Sequence, residues 1–157
     1  MVTSATELTV QTFEIAKEET IAAPIETVYE TLLEHLGPSF GPAEGMSLRM
    51  VLEARPGGRW YRDLGDNMGH LWGHVQVIKP PALLEITGPL AMSYPAISHV
   101  QWRLKADGDG TRLSFVHRAM GFAPEHQREG MDQGWARVLA SIRDAAERRS
   151  GAAGKRR

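Results

Sequence analysis

Apolar side chains recur with a helical period in two stretches of the chain. Between positions 24 and 36 they fall three and four residues apart, at Ile25, Val28, Tyr29, Leu32, Leu33 and Leu36. Pro24 suits a first helical turn, and Gly37-Pro38 ends the pattern. A second amphipathic pattern begins near 124, and its apolar face consists of Met131, Trp135, Val138, Leu139, Ile142 and Ala146. The sequence therefore predicts a short first helix and a long last helix.

Between the two helices the apolar period changes to two, which is typical of half-buried strands. Six strands are predicted at 47–54, 58–64, 69–78, 83–87, 96–106 and 111–120, and a seventh precedes the first helix at about 10–21. Their separators are rich in Gly, Pro, Asp and Asn and are short enough for hairpins: RPGG, LGDN, KPPA and DGDG. The pattern predicts an α+β fold with an antiparallel meander.

Length and composition limit the class of protein. The 157 residues fit one domain, predicted at 10–149, with a flexible N-terminus at 1–9 and a disordered basic tail at 150–157. The 18 Lys and Arg nearly balance the 19 Asp and Glu, so no net field favours nucleic acid or an anionic membrane. Because there is no cysteine, no signal-peptide pattern and no apolar run long enough to span a bilayer, we expect a cytoplasmic protein.

The segment MGHLWGHV raises the question of a metal site, because His70 and His74 stand four residues apart. On a helix such a pair can share one ion, whereas on a strand the two residues are about 13 Å apart. The segment continues as VQVI and ends at Lys79-Pro80-Pro81, which indicates a strand. We therefore predict neither a metal site nor a cofactor.

Five phrases stand in the order that these elements predict: ETIAAPIETVYETL at 19–32, PGGRW at 56–60, GHVQVIKPPALLEIT at 73–87, SHVQWRLKADGDGTRLSFVHRAMG at 98–121, and GW at 134–135. Together they resemble the START-like (SRPBCC) superfamily, in its branch related to the activator of Hsp90 ATPase homologue. The resemblance implies a helix-grip (START/Bet v-like) fold, in which a curved sheet wraps around the C-terminal helix and leaves a cavity between them. In such proteins the segment just after the first helix commonly carries a tryptophan. In this chain the one aromatic residue of that segment is Phe40.

Strand parity predicts which side chains face that cavity. Apolar alternation turns Trp102 and Phe115 inward, and His117 is the one histidine with inward parity. Arg62 shares the parity of Trp60, so it would bind a ligand anion, lie at the rim, or pair with Asp63 or Asp66. The predicted lining is Trp60, Arg62, Leu71, Val75, Ile86, Trp102, Phe115, His117, Met131 and Trp135.

The same parity turns His70, Trp72 and His74 to the outer face of their strand. An exposed tryptophan needs cover, which either a homodimer interface or neighbouring long side chains would supply. For His117 the alternative to a functional role is a core histidine satisfied by one hydrogen bond. Gly130 and Gly134, one turn apart in the last helix, indicate either close packing or space for a guest.

Three functional hypotheses follow. The first is a binding module for a small apolar or aromatic molecule, oriented by Arg62 and His117. The second is an enzyme similar to cyclases and dehydratases, with His117 as general acid or base and Arg62 stabilising an enolate or carboxylate. The third is a protein-regulating domain of the co-chaperone type. The sequence contains no nucleophile elbow, phosphate-binding loop or dinucleotide fingerprint.

Overall fold

A computed structural model describes residues 4–41 and 45–155. In chain order its elements are β1 (Gln11–Ile21), α1 (Ile25–Leu36), β2 (Met50–Leu52), β3 (Arg59–Gly65), β4 (Met68–Lys79), β5 (Leu83–Gly88), β6 (Ala96–Asp107), β7 (Gly110–Gly121) and α2 (Glu125–Lys155). The seven strands form one antiparallel sheet in the order β1-β7-β6-β5-β4-β3-β2. The prediction of an α+β fold with an antiparallel meander and a long last helix is confirmed.

Two elements differ by more than two residues from their predicted bounds, and the others agree within one or two. β2 contains three residues where the sequence predicted a strand over 47–54, because Arg49 has a φ of 50° and so leaves the extended conformation just before Met50. At the other end α2 continues to Lys155, past the predicted domain boundary at 149. The last two residues of the predicted tail lie outside the described part of the chain.

The apolar face of α2 packs on one side of the sheet and completes a single main core. Trp135, Leu139 and Ile142 of α2 join buried residues of α1 and of the sheet in one cluster. Ion pairs also join α2 to β1: Lys17 lies 3.1 Å from Asp132, and Arg143 lies 3.1 Å from Glu19. Since such surface pairs contribute little, burial of the apolar face holds the helix in place.

The connection between β3 and β4 follows its sequence closely. Asp66 and Asn67 form a two-residue turn, and both have positive φ, at 53° and 63°. Asn and Asp tolerate this left-handed conformation better than other side chains, and a two-residue hairpin of matching twist requires it at both positions. The predicted hairpin at LGDN is therefore explained by the conformations of these two residues.

A β-bulge in β4 reverses two of the predicted side-chain orientations. Leu71 pairs with Tyr61 while Gly73 pairs with Trp60, so Trp72 is an extra residue in β4. Because an extra residue shifts the alternation by one, Trp72 enters the core with 6% exposure and Leu71 is 47% exposed. The predictions that Leu71 faces the core and that Trp72 faces outward are wrong. Val75, beyond the bulge, is buried as predicted.

Two glycines allow the backbone to pass close to the bulge. A Cβ atom on Gly73 would lie 2.7 Å from Ile86 Cγ2, and one on Gly88 would lie 2.3 Å from the carbonyl oxygen of Trp72. That same oxygen accepts a 2.8 Å hydrogen bond from the backbone N–H of Leu90. The bulge that turns Trp72 inward therefore depends on glycine at both positions.

We expect Gly88→Ala to destabilise the protein by about 1 to 3 kcal/mol, because its Cβ meets backbone atoms that cannot move aside cheaply. The free energy of unfolding from urea titration measures this loss. Gly130→Ala is the matched control, since a Cβ there has no heavy atom within 4 Å and alanine favours the helix by about 1 kcal/mol. Equal stabilities of the two variants would contradict the close-approach argument.

Candidate functional site

All four tryptophans of the chain lie together in the core. The ring centroid of Trp60 is 5.1 Å from that of Trp72 and 6.4 Å from that of Trp102, and the rings of Trp102 and Trp135 are 5.8 Å apart. All three pairs are edge-to-face, an arrangement that aromatic rings favour. We call these four residues the tryptophan cluster. They occupy much of the space that the sequence analysis predicted as a cavity.

Phe40, in the irregular segment after α1, joins this cluster. Its ring centroid is 5.4 Å from those of both Trp60 and Trp72, and its side chain is 3% exposed. The indole N–H of Trp60 donates a 2.6 Å hydrogen bond to the carbonyl oxygen of Leu36, at the end of α1. These contacts fix the segment after α1 on the tryptophan cluster.

A pocket of about 190 Å³ remains between the tryptophan cluster and α2. Its described walls are Phe40, Trp72, His117, the β5–β6 connection at Leu90 and Ala91, and α2 at Gln127, Gly130, Met131, Gly134, Trp135 and Val138. We call this space the α2 pocket. Gly130 and Gly134 both border it, which favours the second of the two alternatives, space for a guest.

The structure brings together some of the predicted lining residues and separates others. His117, Met131 and Trp135 line the α2 pocket. Five more residues are buried in the core without lining the pocket: Trp60, Val75, Ile86, Trp102 and Phe115. Leu71 lies on the surface because of the bulge.

Six pocket residues were missed from the sequence: Phe40, Trp72, Leu90, Ala91, Gln127 and Val138. The glycine that follows Trp72 was the available signal of a bulge, since an isolated glycine within a strand often marks one. Leu90 has a φ of 56°, which is uncommon for a non-glycine residue, and nothing in its neighbourhood predicts this conformation. Its position became known only from the fold.

His117 is fully buried, and both of its ring nitrogens are hydrogen-bonded. The indole N–H of Trp135 donates to Nδ1 at 3.0 Å, and Nε2 lies 2.8 Å from the hydroxyl of Ser98. Since an indole nitrogen can only donate, Nδ1 must be the acceptor, and the neutral ring carries its proton on Nε2. Burial lowers the pKa of His117 from 6.5 to about 4.

This arrangement is that of a neutral core histidine. A general base needs a nitrogen that can take a proton, but Nδ1 already accepts from Trp135. A proton on Nδ1 would face the indole N–H and break that hydrogen bond. The geometry therefore supports the structural role for His117, with two hydrogen bonds instead of the one that was anticipated.

Arg62 lies apart from His117. It is partly buried and borders a different groove, next to Arg49 and Leu64, that shares no described lining residue with the α2 pocket. Its Nε is buried without a hydrogen-bond partner. Among the described residues Arg62 forms no ion pair, so neither Asp63 nor Asp66 neutralises it.

His70 and His74 are exposed on β4, which is the strand that the sequence predicted. Across residues 4–41 and 45–155, no group of three or more His, Asp or Glu side chains is placed to hold a metal ion. No helix in the described part of the chain is long and apolar enough to cross a membrane.

A curved seven-stranded antiparallel sheet packed on a long C-terminal helix, with a small pocket between them, defines a helix-grip domain of the START-like class. The chain belongs to the family described as activator of Hsp90 ATPase homolog 1-like protein, whose model matches residues 22–147. The resemblance inferred from the five sequence phrases is therefore confirmed.

Solved structures share the fold at low sequence identity. An uncharacterised protein of Rhizobium leguminosarum is 21% identical, with 85% of this chain and 96% of that chain covered and a TM-score of 0.63. The CalU16 protein of Micromonospora echinospora is 22% identical, with 89% and 83% covered and a TM-score of 0.59. The Aha1 dimer of Colwellia psychrerythraea is 17% identical, with 86% and 96% covered and a TM-score of 0.64. Among proteins with curated descriptions, none matches this chain significantly.

The lowered pKa of His117 predicts a loss of stability in acid. The folded state disfavours protonation of His117 more than the unfolded chain does. The neutral histidine therefore contributes its full share to the free energy of unfolding above pH 6.5, and that share is lost as the pH falls towards about 4. The expected loss is roughly 3 kcal/mol, at about 1.4 kcal/mol per pKa unit. Unfolding free energies measured between pH 7.5 and pH 4, values chosen to span about that window, test this.

The same unfolding measurements are made on His117→Asn, because asparagine cannot take up a proton in this pH range. Burial also lowers the pKa of His35, so the informative quantity is the difference in stability between wild type and variant at each pH. We expect that difference to shrink as the pH falls. A difference that stays constant over the whole range would show that His117 is not the group responsible.

Proposed function

We propose that this domain binds a small, uncharged apolar or aromatic molecule in the α2 pocket. The observation that carries the proposal is the chemistry of the described walls, which contain no Asp, Glu, Lys or Arg. Their one titratable side chain, His117, is neutral at pH 7 because its pKa is lowered to about 4. A charged ligand would be buried without a partner, at a cost of several kcal/mol.

The volume of the pocket limits the size of the ligand. A cavity of about 150 Å³ lined by apolar side chains holds one benzene molecule. At about 190 Å³, the α2 pocket is matched to a single aromatic ring with a small substituent. Phe40, Trp72 and Trp135 supply aromatic rings to such a guest, and the amide of Gln127 is the one flexible polar group on the described walls.

Binding has better support than catalysis in this structure. The enzyme hypothesis requires His117 and Arg62 in one cavity, whereas they border separate spaces and both nitrogens of His117 are occupied. A protein-regulating role of the co-chaperone type is suggested by the family description alone. The cytoplasmic location remains an expectation, supported by the absence of cysteine from the sequence.

Self-association is a separate part of this proposal. The solved protein of Colwellia psychrerythraea is described as a dimer. In this chain Met68 and Leu71 expose 58% and 47% of their surface on the β3–β4 hairpin, and exposed apolar residues that cluster often mark an interface. Trp72, which the sequence suggested as the covered residue, is instead buried within the chain.

To test ligand binding, we expect ethylbenzene to bind the wild-type protein and to change its tryptophan fluorescence. Gly134→Leu places a side chain in the α2 pocket and should weaken binding at least tenfold, roughly 1.4 kcal/mol. Ala136→Leu, on the exposed face of the same helix, is the matched control and should bind like wild type. Ligand affinity is measured by calorimetry.

The charge argument adds a second comparison. Methyl benzoate should bind at least about tenfold more tightly than benzoate, because the pocket has no partner for the carboxylate. Unchanged ethylbenzene affinity in Gly134→Leu would place binding outside the α2 pocket. No response to any of these compounds would remove the proposal altogether.

To test self-association, light scattering after size exclusion should give twice the chain mass of 17.3 kDa. Leu71→Glu should shift the protein to the monomer, since a buried, unpaired carboxylate disfavours the interface. Ile97→Glu alters another residue of similar exposure, outside the β3–β4 hairpin, and should leave the dimer intact. A monomeric wild-type protein at the highest concentration tested contradicts the expectation.

A further inference from the structure

A second concave site lies at the β2 edge of the sheet. It is formed by Pro38 after α1, the segment 47–51 and the segment 62–65, and its volume is about 690 Å³. We call it the arginine groove, after Arg49 and Arg62. This volume lies within the range of small-molecule sites, and no described residue belongs to both the groove and the α2 pocket.

Arg62 has no partner among the described residues, although part of its side chain is buried. It pairs across the strands with Met50, which is 1% exposed, so its stem lies against the core. Its Nε is buried and donates to no described atom. A buried guanidinium N–H without an acceptor is costly, and an anion bound to the terminal nitrogens of the same group would neutralise its charge and offset part of that cost.

Arg49 borders the same groove and adds a second positive charge. Its φ of 50° is uncommon for a residue with a side chain, and such strain is found most often at binding sites. Three other arginines of the sheet have carboxylate partners, Arg59 with Glu53, Arg112 with Glu18, and Arg118 with Glu14, whereas the exposed Arg103 has none among the described residues. Within the described residues, neither Arg49 nor Arg62 forms such a pair.

The remaining walls decide what kind of anion fits. Leu48, Val51 and Leu64 supply an apolar surface, and Leu64 is 50% exposed. Asp63 is the one carboxylate on the described walls, and its Oδ1 already accepts a 2.9 Å hydrogen bond from the backbone N–H of Gly65. The groove thus combines two guanidinium groups with an apolar wall.

We infer that the arginine groove binds a small amphipathic carboxylate, a carboxylate head joined to an apolar body. The planar guanidinium of Arg62 presents donors that match the two oxygens of a carboxylate, and Arg49 adds a second charge beside it. The apolar body lies against Leu48, Val51 and Leu64. This site is chemically the opposite of the α2 pocket, which takes an uncharged ligand, and it does not depend on that proposal.

Calorimetry with octanoate, in parallel with 1-octanol, tests this inference. In Gly134→Leu, whose α2 pocket is filled, octanoate should bind at least tenfold more tightly than octanol, which has the same apolar body without the charge. Methyl resonances of Leu48, Val51 and Leu64 should shift on titration in two-dimensional NMR spectra. Raising the salt concentration should weaken octanoate binding and leave octanol binding unchanged.

The variants locate the site. Arg62→Gln and Arg49→Gln should each weaken octanoate binding at least fivefold, while Arg103→Gln, at an exposed position on β6, should not. Arg49 is exposed, so its variant tests the site even if Arg62→Gln loses stability. Gly134→Leu should leave octanoate affinity intact while it weakens ethylbenzene, which separates the two sites.

Four results would overturn the inference. These are the absence of octanoate binding at millimolar concentration, equal affinity for octanol, an affinity unaffected by both arginine variants, and loss of octanoate binding in Gly134→Leu. Binding of an acidic peptide without binding of octanoate would likewise refute a small-acid site, and would indicate a protein partner instead.

Discussion

The indole of Trp72 enters the core because β4 contains one residue more than β3 opposite it. Most of the interior depends on this extra residue. Trp72 packs against Trp60 and Phe40, and Phe40 in turn holds the segment after α1 on the sheet. Without the bulge, an apolar leucine would take the inward place and the largest side chain would face solvent. The close approach of Gly73 and Gly88 is what lets the backbone accommodate the bulge.

In this chain the space between the sheet and the last helix is largely filled by side chains. Four tryptophans occupy much of the space between sheet and helix, so the remaining pocket is small. The hydrogen-bonded series from Trp135 through His117 to Ser98 links α2 to the sheet, and burial lowers the pKa of His117 so that the histidine stays neutral. The charged side chains of Arg49 and Arg62 lie outside this space, in the arginine groove at the β2 edge of the sheet. The fold is shared with distant relatives, but the division into an apolar interior and a charged rim follows from this chain's own side chains.

Much of the fold could be predicted because its signals are local. Period and turn residues located both helices and all seven strands, and the hairpin at Asp66 and Asn67 followed from their tolerance of positive φ. The inward orientation of His117 and Trp102 also followed from parity.

Parity fails where a bulge interrupts it, which is why Leu71 and Trp72 were assigned to the wrong faces. The pocket was harder still to predict, since its walls at Phe40 and Leu90 come from irregular segments that only tertiary contacts position. Whether Trp60 and Trp102 border a void or fill it depends on summed side-chain volumes, which no alternation of residues reveals.

The two edge strands of the sheet also limit how copies of this protein can associate. β2, at one margin, has only three residues, and β1, at the other, is crossed by α2 through Lys17–Asp132 and Glu19–Arg143. Unpaired strand margins are the usual templates for aggregation by strand addition. Here one margin is too short and the other is shielded and charged. Strand addition at either edge of the sheet is thereby disfavoured.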